Sequence, residues 1–243
     1  MQTIYEYGTD HWKELKDVIY NDLRQIPDAD FDNDRIKNAG SFNQLCESVI
    51  YLYTVNSSLY ENVNKALRNL KEDSVYGSYA LMLNTILLNW PSIQVCRDTT
   101  YRGEGESFDV TNYVVGTIFT WTAFTSSSTN INVACDQFAE SVLFIFNNDV
   151  HSSWSSKFIA QYSAYIEESE CLYPSSAIFK VTAIERSSTT DNLCNRPDLA
   201  YIYISLQQGY QTDDSEDGGG NVIEGTAYTV VAAVIVAKYW FFI

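Results

Sequence analysis

Residues 76–102 read YGSYALMLNTILLNWPSIQVCRDTTYR, and the fold turns on this stretch. Up to Trp90 the apolar residues recur at helical spacing. Pro91 then stops the helix, because it has no amide donor and clashes with the preceding turn. From Ile93 the period changes, and Ile93 to Arg102 is rich in β-branched and aromatic residues, as a strand is. On the N-terminal side, Trp12, Leu15, Val18, Ile19 and Leu23 fall on one helical face. Ser41 is placed to cap a helix carrying Leu45, Val49 and Leu52, and Ser58 with Glu61 forms a capping-box pattern before Leu59, Val63, Leu67 and Leu70. On the C-terminal side, Tyr113 to Phe124, Val142 to Phe146, Ala177 to Ile184 and Leu199 to Leu206 repeat the strand pattern between polar turns. Helices first and strands later predict an α+β fold, with helices packed on an antiparallel sheet system. No GxGxxG and no strand–helix alternation occur, so a doubly wound dinucleotide fold is not supported. The chain divides into 1–90 (helical), 91–210 (β-rich), 211–226 (an acidic, Gly-rich linker) and 227–243 (a hydrophobic tail).

The composition narrows the function. Of 243 residues, 46% are hydrophobic and 14% aromatic, which is a folding chain. Asp and Glu outnumber Lys and Arg by 31 to 15, for a formal net charge of −16. Such a body repels phosphate backbones, which argues against a nucleic-acid partner but not against one nucleotide held by local cations. No CxxC or HExxH spacing occurs, so no metal site is expected. His11 in a helical stretch and His151 in a polar loop do not make a Ser-His-Asp triad. Cys46, Cys96, Cys135, Cys171 and Cys194 allow one or two disulfides and leave at least one thiol over.

The ends give conflicting signals about location. The first residues show neither a basic nor an apolar signal-peptide region, which leaves a cytoplasmic location open. The tail is uncharged from Ala227 to Ala237 and, at about 17 residues, sits at the short limit for a bilayer span. With the acidic, Gly-rich spacer Asp213–Gly220 before it, the layout is that of a lipid-anchor attachment signal, which favours a membrane-attached or extracellular protein. The alternative is a last buried strand, since Val and Ile dominate.

Three short motifs follow one another in the strand-rich part: Thr100-Tyr101-Arg102-Gly103, Phe124-Thr125-Ser126-Ser127-Ser128, and Tyr165-Ile166-Glu167-Glu168-Ser169-Glu170-Cys171. Taken singly they read as a turn with a surface cation, a polar loop and a solvated acidic face. As an ordered set, with 24 residues from Arg102 to Ser126 and 44 from Ser126 to Glu170, they resemble the arginine-specific mono-ADP-ribosyltransferases. That family carries an Arg, a Ser-x-Ser and a Glu-x-Glu on successive strands. The segment Tyr51-Leu52-Tyr53-Thr54 with Leu59 to Arg68 is similar to its helix pair, and the resemblance covers about residues 40 to 206.

The resemblance implies a catalytic core of two antiparallel sheets, NAD (or NADP) as co-substrate without a metal, and acceptor proteins with exposed arginine. It assigns Glu170 to the developing positive charge on the ribose, the electrostatic logic of glycosidases. Ser126 would orient Glu170. Arg102 would hold a phosphate or ribose of the cofactor, and Gly103 would admit the nicotinamide amide close to the backbone. Phe138 would lie against the nicotinamide ring, although by its own sequence it reads equally as a core Phe. Glu168, taken as two residues back along an extended stretch, would point the same way as Glu170 and orient the acceptor guanidinium. Tyr165 would stack on that guanidinium. Cys171 stands where an aliphatic residue is usual, and its oxidation would threaten the site. Two other functions fit the same residues: an NAD glycohydrolase, with water as acceptor, and a surface-anchored, non-catalytic binding module on this fold.

Overall fold

The computed structural model of the chain describes residues 10–27, 29–69, 75–106, 108–148, 152–186, 193–196 and 199–207. The expected linker (211–226), the hydrophobic tail (227–243) and His151 lie outside the described residues. No helix among the described residues is long and apolar enough to cross a membrane.

Five helices come first: α1 (Trp12–Leu23), α2 (Asp34–Lys37), α3 (Phe42–Thr54), α4 (Ser58–Arg68) and α5 (Gly77–Asn89). Ser41 caps α3 as its sequence suggests, accepting from the Gln44 amide at 3.2 Å. The capping box at Ser58 and Glu61 does not form. Ser57 is the cap of α4, accepting from Leu59 N, while Ser58 Oγ donates to Asp30 at 2.8 Å. The tandem serines shift the cap by one residue, because Asp30 takes both the amide and the hydroxyl of Ser58. Helix α5 buries Tyr79, Met82, Leu83, Ile86 and Leu87, so it runs through the middle of the helical layer rather than over its surface. Its partners are Ile19 and Leu23 of α1, Leu45, Val49 and Leu52 of α3, and Leu59 and Val63 of α4. Each such side chain contributes about 1.5–3 kcal/mol on burial.

The strands are β1 (Gln94–Val95), β2 (Thr100–Glu104), β3 (Ile118–Trp121), β4 (Thr125–Ser128), β5 (Val142–Asn147), β6 (Lys157–Phe158), β7 (Glu170–Tyr173), β8 (Ala177–Arg186) and β9 (Ala200–Leu206). They form one hydrogen-bonded sheet in the order β1-β6-β7-β4-β2-β5-β9-β8-β3. The expected α+β class stands, but the two antiparallel sheets are joined into one mixed sheet, in which β5 and β9 are parallel. The sheet nonetheless makes two layers by curling. Strands β7 and β8 are five places apart in that order, yet the rings of Tyr173 and Phe179 lie 5.1 Å apart. Trp121 of the edge strand β3 likewise meets Phe144 of β5 at 5.1 Å. These rings, with Phe119 and Phe146, form an aromatic core between the two halves of the sheet.

Two disulfides tie distant segments. Cys96 joins Cys171 of β7, and Cys135 joins Cys194. Cys171 is therefore not the oxidisable free thiol expected beside Glu170. The free thiol is Cys46, buried in α3, where desolvation pushes its pKa up and keeps it protonated.

Candidate active site

The three motifs meet because β7, β4 and β2 are neighbours in the sheet. Ser128 is paired with Glu170 and Ser126 with Leu172. Residues two apart on a strand share a face, so Ser126 and Glu170 are diagonal neighbours on one face. That face looks toward the helical layer, whose core includes Leu172. Ser127 points the other way and fastens the floor, donating within reach of Thr100 Oγ1 at 3.1 Å and the Cys171 carbonyl at 3.2 Å.

Ser126 Oγ donates to Glu170 Oε1 at 2.6 Å. Glu170 is only 7% exposed, and desolvation pushes its pKa up to about 7. Ser126 and the Arg102 charge pull the value down, while the Glu168 carboxylate adds to the rise. Arg102 spends two of its five N–H donors inside the protein: Nε on Glu104 at 2.6 Å and Nη1 on the Ser126 carbonyl at 2.9 Å. It thus ties β2 to β4 beyond the strand ladder, and its charge is already paired.

Glu168 departs from expectation. It ends a 3₁₀ turn (Ile166–Glu168) rather than lying on an extended stretch, and Ser169 has left-handed backbone at φ 49°. This kink reaims the chain into β7, and Ser128 Oγ, donating to the Glu168 carbonyl at 2.6 Å, holds the kink in place. Glu168 and Glu170 nevertheless line the same cleft, of about 520 Å³. Burial and the Glu167 carboxylate push the Glu168 pKa up.

Tyr165, 36% exposed, lies on the cleft wall. Phe138 is 49% exposed at the end of a π-helical turn (Ala134–Phe138) and also lines the cleft, so the core reading of this residue fails. The turn explains Gly103. A Cβ there would lie 2.2 Å from the Ala139 nitrogen and 2.4 Å from the Phe138 carbonyl carbon. Glycine is required there by the chain's own backbone passing over β2, and Gly103 also lines the cleft.

A further part of the cleft lining comes from the α3–α4 corner and was not legible as site in the sequence. Tyr53, Tyr60 and Glu61 belong to it, with the Tyr60 ring edge-on to Tyr53 at 5.4 Å. Buried Asn64 fixes this corner to the sheet, donating to Tyr53 Oη at 2.9 Å and accepting from Phe124 N at 3.1 Å. Glu104 was missed too, although its i,i+2 spacing from Arg102 on a strand was a usable signal. Among the described residues lining the cleft, Arg102 is the one cation, against Glu61, Glu168 and Glu170. No cluster of three or more His, Cys, Asp or Glu suited to a metal occurs among the described residues.

A sequence-family profile described as NAD:arginine ADP-ribosyltransferase matches residues 11–194. The chain belongs to the NAD:arginine ADP-ribosyltransferase family. As a member it is an ADP-ribosyltransferase that uses NAD as co-substrate. A search of curated protein sequences returns no match. Solved structures of ADP-ribosyltransferases share the fold. HopU1 of Pseudomonas syringae is 15% identical at a TM-score of 0.59, over 80% of this chain and 97% of that one. Exoenzyme S of Pseudomonas aeruginosa, in complex with human 14-3-3 protein beta and bound to carba-NAD, is 16% identical at 0.57, over 83% and 94%. Vis of Vibrio splendidus, in complex with agmatine, is 18% identical at 0.53, over 84% and 89%.

Proposed function

We propose that this ADP-ribosyltransferase transfers ADP-ribose from NAD to arginine side chains of acceptor proteins and releases nicotinamide. The observation that carries the reading is one cleft lined by two differently built carboxylates: Glu170, buried and held by Ser126, and Glu168, half-exposed on a turn. When the bond from ribose C1′ to the nicotinamide nitrogen breaks, its electron pair leaves with nicotinamide and positive charge develops on the sugar. Ionised Glu170 stabilises that charge in a desolvated setting, where it is worth most. A guanidino nitrogen forms the new bond to C1′ and releases a proton. Free guanidinium is a poor nucleophile because it is fully protonated, so a carboxylate beside it must draw off proton density. Glu168 is suited to that task, with Tyr165 to stack on the planar cation.

The charge balance supports a cationic acceptor. Glu61 and Glu168 both line the cleft, and Arg102 is paired with Glu104. Among the described residues the lining offers no second cation for an additional phosphate, so we infer NAD rather than NADP. The agmatine complex of Vis fits this acceptor class. Hydrolysis, with water as acceptor, uses the same Glu170 and is the background reaction. Incubation with labelled NAD and agmatine tests the reading: labelled agmatine adduct in excess of free ADP-ribose supports arginine transfer, and free ADP-ribose alone contradicts it.

A further inference from the structure

We infer that Thr54, the last residue of α3, is a positioning residue that latches the acceptor loop into its cleft-facing geometry. This rests on the acceptor role proposed above for Tyr165 and Glu168. The loop is anchored at both ends. At its start the Tyr162 ring packs on Trp90 at 5.2 Å, and at its end Glu168 and Ser169 carbonyls accept from Ser128 Oγ and Thr129 N. Between these anchors its backbone bonds are mostly internal: Tyr165 N donates to Ser163 Oγ, Glu168 N to Tyr165 O, and Ser169 N to Ile166 O. Ile166, at 66% exposed, gives it no apolar foothold.

The one hydrogen bond among the described residues that ties the middle of the loop to another element is from Ala164 N to Thr54 Oγ1, 2.9 Å across 110 residues of sequence. The same hydroxyl donates to the Tyr51 carbonyl at 2.9 Å, so its lone pair is aimed at the loop and its rotamer is fixed. Thr54 thus couples the α3–α4 corner to the acceptor loop, both of which contribute to the cleft lining. Losing the bond leaves a half-buried amide without its acceptor, and the turn bearing Tyr165 and Glu168 becomes free to drift. Orientation of the acceptor suffers, whereas cleavage of NAD depends on Glu170, which stands on the sheet.

Thr54→Val keeps the shape and removes the acceptor oxygen. We expect the ratio of agmatine adduct to free ADP-ribose to fall by about three- to tenfold, with the loss mainly in KM for agmatine, the scale of one hydrogen bond. Thr54→Ser should restore it. Amide hydrogen exchange over residues 163–168 should quicken in Thr54→Val while β4 amides keep the parent rate. Should Thr54→Val misfold, Thr54→Ala repeats the test without a mispacked methyl group. Parental partition or parental exchange in a folded variant overturns the latch. If the parent itself makes no adduct, the acceptor reading falls, and the exchange measurement alone decides the latch.

Discussion

The Ser126 hydroxyl and the Glu170 carboxylate, 44 residues apart in sequence, are joined at 2.6 Å because antiparallel pairing of β4 and β7 makes them diagonal neighbours. The bond stabilises the ionised carboxylate, and burial opposes it more strongly, leaving the pKa at about 7. A group held near neutrality responds to pH where the enzyme is assayed.

The proposed mechanism needs ionised Glu170, so kcat/KM for NAD should rise with pH and level off above an inflection near 7. Ser126→Ala removes an influence that lowers this pKa, and its profile should move to higher pH. An inflection near 4.5, the ordinary value for Glu, would contradict the desolvated environment.

Stability should carry the opposite sign. The folded pKa of about 7 lies above the ordinary 4.5, so the folded protein binds more protons between these values. The stabilisation is full below pH 4.5 and is lost as pH rises through 7, by about 3 kcal/mol at most. Glu170→Gln removes the buried charge and should therefore melt higher than the parent at pH 8, with little gain at pH 5. Equal differences at both pH values would count against a buried, raised-pKa carboxylate.

Gly103→Ala should destabilise by about 1–3 kcal/mol or more, since backbone atoms rather than a flexible side chain occupy the Cβ position. A melting curve checks this. Full stability of the variant would contradict the backbone clash, and lost NAD affinity at full stability would point to direct ligand contact instead.

The Cys96–Cys171 bond closes a separation of 75 residues and holds β7, which begins with Glu170. Replacing both cysteines with Ala should cost about 4 kcal/mol of stability in urea unfolding. Unchanged stability would mean the two thiols are not joined.

Much of this was written locally in the sequence. Periodicity gave four of the five helices but not the one-turn α2, Pro91 ended α5 next to Trp90, and the ordered Arg, Ser-rich and acidic motifs gave the cleft floor. What escaped depended on distant partners. Strands β4 and β7 are four residues each, one of them almost wholly Ser, and are strands because neighbours on both sides pair with them. Ser169 has no side-chain feature announcing φ 49°, so Glu168 read as extended when it lies on a turn. Tyr53 and Tyr60 looked like ordinary helix residues, and only the approach of α3 and α4 to the sheet, fixed by Asn64, makes them cleft wall. The parallel pairing of β5 and β9 is a matter of topology with no local signal.

The central claim is that one carboxylate serves the sugar and the other serves the acceptor, and Glu168→Gln measures it most directly. Labelled NAD and agmatine are given to the parent, Glu168→Gln and Glu170→Gln, and agmatine adduct and free ADP-ribose are scored together. Glu170→Gln should lose both products by about 10²–10³ in rate. Glu168→Gln should lose adduct by at least about tenfold, the scale of one charge-assisted hydrogen bond, while NAD hydrolysis falls far less. An unchanged ratio of adduct to free ADP-ribose in Glu168→Gln would contradict the division of labour and remove the main support for arginine as acceptor.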